Sequence, residues 1–131
     1  MLVVDASCLY EVVADTQSAE TVRARLSADT DHVAPHVIDV EVFNVIRRAH
    51  MQGSLDATAA AQAVEDLAAW PGERFGYRSL LGRAWELRDN VRGWDAMYVA
   101  LAEALDATLV TVDRRLAAAR GPRCAIEVLE D

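Results

Sequence analysis

Lysine is absent from this 131-residue chain, and all 13 of its basic residues are arginine. A phosphate loop of the form GxxxxGK is therefore excluded, and no GxGxxG run is present either. Aromatic residues make up only 6%, so the core is expected to be aliphatic, built on Ala, Val and Leu. Cysteine is scarce. Cys8 and Cys124 stand at opposite ends with no CxxC pair, which argues against a zinc site and a disulfide framework and leaves two free thiols beside apolar runs. No apolar run approaches the roughly 18 residues of a membrane span. The first residues lack the basic and long apolar regions of a secretory signal, so a cytoplasmic protein with no membrane association is expected. Positive charge is also in deficit. The net charge of −8 opposes binding to a phosphate-rich partner unless something offsets it. Arginine's planar fork suits phosphates and carboxylates, but uniform Arg usage equally reflects a GC-rich genome.

Hydrophobic residues reach 53%, far from a disordered composition, and they fall into alternating short strands and helices. Leu2-Val3-Val4 is a buried strand ending at Asp5. His32–Pro35, residues 74–77, Thr108-Leu109-Val110-Thr111-Val112 and residues 125–129 complete a set of about five. Helical patterns cover residues 7–14, 18–28, 37–51, 57–70, 80–90, 95–105 and 114–119, with Gly53 and Pro71-Gly72 as stops. The alternation predicts one α/β domain over residues 1–131, with a mainly parallel sheet and helices on both faces.

Four acids stand at positions able to meet. Asp5 and Asp113 each follow an apolar strand and precede a helix, and in a parallel sheet those strand ends share the edge where ligands bind. Asp95 opens the apolar stretch Ala96–Leu101, and Glu41 lies among Val37, Ile38 and Val45 at helical spacing. Singly, Asp5, Asp95 and Asp113 read as helix N-caps or first-turn charges, and Glu41 as a side chain reaching for water. Jointly they read as a cation site, because carboxylates crowded among apolar neighbours need a countercharge. Hard oxygen donors select Mg²⁺ or Mn²⁺ over zinc, and His32, His36 and His50 are too scattered to be ligands. Phosphoaspartate receivers and haloacid-dehalogenase-like phosphatases also carry an Asp after the first strand, but both rely on a lysine. The latter also need Asp-x-Asp where this chain has Asp5-Ala6-Ser7.

The ordered set of blocks resembles the PIN domain, and within it the toxins of VapBC toxin–antitoxin pairs. The blocks are Val3-Val4-Asp5-Ala6-Ser7, Glu41-Val42-Phe43-Asn44-Val45-Ile46-Arg47-Arg48, Asp95-Ala96-Met97-Tyr98-Val99-Ala100-Leu101-Ala102, and Leu109-Val110-Thr111-Val112-Asp113-Arg114-Arg115-Leu116. The resemblance implies a three-layer α/β/α domain and a metal-dependent endoribonuclease. Its ligands, Asp5, Glu41, Asp95 and Asp113, would hold Mg²⁺ (or Mn²⁺) for hydrolysis of RNA by an activated water. Ser7 and Thr111 match hydroxyl positions that support such sites, although Ser7 also reads as an N-cap and Thr111 as an ordinary strand residue. Gly93-Trp94 departs from the family's commoner lead-in to Asp95 and bears on the shape of the substrate groove.

Arg114 and Arg115, with Arg120 and Arg123 beyond, follow the last acid. They read either as phosphate-binding cations or as charges at a helix end. The resemblance further implies a VapB-type antitoxin whose basic side chain enters the acidic groove, and a homodimer. Two other readings stay open: a PIN-like nuclease processing RNA or DNA without an antitoxin, and a non-catalytic regulatory domain.

Overall fold

The computed structural model describes residues 1–130. Five short strands, β1 (Leu2–Val4), β2 (His32–Pro35), β3 (Glu73–Phe75), β4 (Thr108–Thr111) and β5 (Ile126–Val128), form one sheet in the order β3-β2-β1-β4-β5. Every pairing is parallel, with Val3 opposite Leu109 and Val4 opposite Val110 at the centre. Successive side chains of a strand point to opposite faces. Val3 and Val4 are both 0% exposed, so both faces of β1 are covered, as expected for a strand with no polar alternation.

The helices are α1 (Ala6–Val13), α2 (Ala19–Ser27), α3 (Val37–Met51), α4 (Ala57–Ala69), α5 (Leu81–Glu86), α6 (Gly93–Leu105) and α7 (Arg114–Ala118). Helix α6 lies along β1, β2 and β4 with α5 against it, while α1 packs on β4, α2, α3 and α4. The expected α/β/α sandwich is what the chain forms. No helix among the described residues is long and apolar enough to cross a membrane.

Two element boundaries differ from the sequence expectation in ways that matter. The helix expected over residues 80–90 is a 3₁₀ turn, Arg78–Leu80, followed by the six residues of α5. Gly82 weakens the helical run, and Asp89-Asn90 favour turns over helix interior, so the ladder stops at Glu86. Helix α6 begins at Gly93, with Arg92 in extended conformation before it, which places Asp95 at the third helical position rather than at the start.

The chain leaves β1 for β2 and β3 on one side and returns to β4 on the other. The two central strands are therefore the point where the order reverses, and beyond their C-terminal ends neighbouring connections splay apart to leave a crevice.

Candidate metal centre

Asp5 is the first residue past β1 and occupies the N-cap position of α1, yet its side chain caps no helix N–H. It is 5% exposed, and hydroxyls hold it instead. Ser7 Oγ and Thr111 Oγ1 each donate to the same oxygen, Oδ2, at 2.7 Å. Thr111 Oγ1 in turn accepts from the Asp113 amide at 3.0 Å, and Ser7 Oγ accepts from the Val112 amide at 3.2 Å. Ser7 is thus a first-turn residue of α1 that braces Asp5, not an N-cap. Thr111, the last residue of β4 and fully buried, turns its hydroxyl to the same carboxylate.

Glu41 comes from α3 between the buried Ile38 and Val42, and its Oε1 is buried without a hydrogen-bond partner. Asp95 sits in the first turn of α6, its side chain 21% exposed. Asp113 does cap its helix, accepting from the Arg115 amide at 2.9 Å, and still borders the same cavity. Asp5, Glu41, Asp95 and Asp113 all line one pocket of about 450 Å³, with Ser7, Tyr10, Asn44, Arg48 and Trp94 among the other walls. Asp113 and Asp95 also edge a smaller cleft of about 170 Å³ that Arg115 reaches. Arg114 is exposed and pairs with Glu130.

The electrostatics are those of carboxylates short of positive charge. Burial raises the Asp5 pKa above the ordinary range, against the pull of the two hydroxyls. Burial raises Asp95 too, and the charge of Asp5 adds to it. Glu41 is pushed up to about 7, first by burial and then by Asp5 and Asp95; the Tyr98 phenol alone works the other way. Two cations flank these acids loosely and from solvent: Arg92 stands 3.7 Å from Asp95 and Arg115 3.8 Å from Asp113, with side chains 75% and 86% exposed.

No set of three or more Asp, Glu, His or Cys among the described residues forms a ready-made cage for an ion. The donors nevertheless fit one. They are hard oxygens, burial and mutual repulsion disfavour their charged forms, and one buried oxygen is unpartnered, so a divalent cation would answer both the charge and the orphaned atom.

The histidines stay outside the site. His32 Nε2 meets the Leu26 carbonyl at 2.7 Å and His50 Nδ1 the Leu55 carbonyl at 2.9 Å. Cys8 is wholly buried with its thiol pKa raised by that burial, which makes it a packing residue and no nucleophile. Tyr98, Tyr10 and Asn44 were given no role on sequence grounds. Of these, only Tyr98 carried a signal, its i+3 spacing from Asp95.

The PIN domain model matches residues 2–122. The chain belongs to the PIN domain family. Among its relatives, Ribonuclease VapC3 of Mycobacterium tuberculosis is 40% identical over 119 residues, covering 90% of this chain and 86% of that protein. Ribonuclease VapC1 of the same organism is 37% identical over 128 residues, 97% of this chain and 96% of the relative. The PIN fold is seen again in VapBC2 from Rickettsia felis, solved bound to a DNA fragment from its promoter. That match has a TM-score of 0.69 at 13% identity and covers 98% of each chain, a likeness of fold. The PIN resemblance drawn from four short blocks thus extends over nearly the whole chain, at the level of VapC proteins.

Proposed function

We propose that this PIN domain is a VapC-type endoribonuclease that hydrolyses RNA phosphodiester bonds with Mg²⁺, or Mn²⁺, held by Asp5, Glu41, Asp95 and Asp113. The observation that carries the reading is the convergence of four acids from four elements on one pocket at the β1/β4 crevice. The names of the VapC1 and VapC3 relatives supply the reaction class. A bound divalent ion would supply Lewis acidity, lowering the pKa of water and screening phosphate charge. The residues do the rest. Ser7 and Thr111 orient the Asp5 carboxylate, Asp95 and Glu41 face it from two helices, and Arg115 and Arg92 stand where phosphate oxygens of the substrate would approach. No side chain in the pocket is an activated nucleophile, which leaves water as the attacking group.

The test is to map transcript ends after brief expression, comparing the parent protein with Asp5→Asn. A loss of at least about 100-fold in Mg²⁺-dependent cleavage is expected from removing a central ligand; cleavage unchanged by the substitution would overturn the assignment.

The same pocket accounts for a partner. An acidic cavity without its cation attracts an Arg side chain strongly, and a VapB-type antitoxin with a basic segment is the binder proposed. Co-expression of such an antitoxin, expected to be encoded beside this gene, should suppress cleavage and leave a stable complex on a sizing column. A homodimer is proposed on separate grounds. Val40 and Phe43 of α3, with Tyr77 and Trp94, are apolar side chains 40–54% exposed, the kind of surface a second copy covers. Light scattering on the purified protein decides that point.

A further inference from the structure

Tyr98 lies one turn beyond Asp95 on α6, so the two side chains share a face of that helix. It is 0% exposed, and its hydroxyl has no hydrogen-bond partner. Buried hydroxyls are almost always bonded, and a phenol whose O–H meets nothing is less favourable there than phenylalanine. Among the described residues one other buried side-chain atom is in the same condition, and it is Oε1 of Glu41. The two orphans are complementary, one a donor and the other an acceptor, and the phenol and the carboxylate lie close enough to interact.

We propose that Tyr98 is a positioning residue of the metal centre: once an ion draws Glu41 into the pocket, the phenol donates to Oε1 of Glu41 and sets the other carboxylate oxygen toward the space shared with Asp5 and Asp95. The inference rests on the reading of that pocket as a divalent-metal site. Glutamate reaches a site through three rotatable bonds, and a donor fixed in the core removes that freedom. Asp5 is handled the same way, by hydroxyls anchored to the sheet and to α1. The ligands would then be oriented by groups bonded behind them, as metal-binding side chains generally are.

Tyr98→Phe removes a single oxygen atom, and the primary readout is Mn²⁺ affinity by calorimetry with no RNA present. We expect Mn²⁺ binding to weaken about tenfold or more, while the melting temperature in EDTA stays level or rises because a buried unpaired hydroxyl is gone. Mn²⁺ affinity equal to wild type would overturn the proposal, as would a parallel drop in the EDTA melting temperature. In a Glu41→Ala background, Tyr98→Phe should cost nothing further, and additive losses would count against action through Glu41. Wild-type protein that binds Mn²⁺ but cleaves no RNA would sink the ribonuclease reading, while the Tyr98 comparison still decides this one.

Discussion

At the scale of single residues, Asp5 shows how this site differs from an ordinary helix start. An aspartate in that position normally accepts helix N–H groups. Here two hydroxyls bond its Oδ2, and the carboxylate is turned to the pocket. Thr111 matters most in that arrangement, since its hydroxyl donates to Asp5 and accepts from the Asp113 amide. Thr111→Val keeps the shape and removes both bonds. RNA cleavage should fall about 10- to 100-fold, with a stability cost of about 1–2 kcal/mol for the amide left unpaired. Thr111→Ser should retain most of both. Steady-state cleavage and urea melts check the pair, and full activity in the valine variant would deny the hydroxyl its role. The acids themselves were legible in the sequence because each interrupts or ends an apolar run. Tyr98 was not, because a tyrosine inside Ala96–Ala102 reads as core and only the folded chain leaves its oxygen buried without a partner.

At the scale of elements, Arg74 does more than any cap. From β3 it donates to both Asp39 oxygens on α3, at 2.8 and 3.2 Å, and to the carbonyls of Leu67, Trp70 and Gly72 where α4 ends. Its guanidinium also lies over the Trp70 ring at 4.8 Å. Satisfying several terminal carbonyls while pairing with an acid ties α3, α4 and β3 together. Arg74→Ala should destabilise the domain by about 1–3 kcal/mol, since it strips partners from a part-buried network. Lysine should not rescue it, lacking the fork. Chemical denaturation measures this directly, and a change below about 0.5 kcal/mol would show the network to be ornamental. Element by element, β1 and β2 were readable because an acid and a proline mark their ends. The six-residue α5 was not, because Leu80, Ala84 and Leu87 keep helical spacing through residues that turn instead. Strand order was also beyond reach, since three-residue apolar strands carry no pattern that selects a neighbour.

For the molecule as a whole, the raised carboxylates set how stability follows pH. A buried acid whose folded pKa lies above its unfolded value stabilises the fold while protonated, fully below the unfolded pKa, and that contribution is lost as pH rises through the folded pKa. Asp5, Glu41 and Asp95 all shift upward, Glu41 to about 7. Asp29 and Glu103 shift downward, and their contribution is lost only in acid. In EDTA the melting temperature should therefore fall by several degrees between about pH 5 and pH 8, and Glu41→Gln should flatten that slope. Mg²⁺ or Mn²⁺ should raise the melting temperature more at pH 8, where the ligands are ionised. Scanning fluorimetry across that range checks both, and a melt that rises with pH in EDTA would contradict the assignment of the shifts.

The central pairing of β1 with β4 joins residues more than a hundred positions apart. A polypeptide still being synthesised, with its first hundred residues outside the ribosome, has no Thr111 to brace Asp5 and no Asp113 to complete the wall. The middle of the sheet waits for the same stretch, so the acidic pocket cannot assemble on a nascent chain before residues 108–113 have emerged.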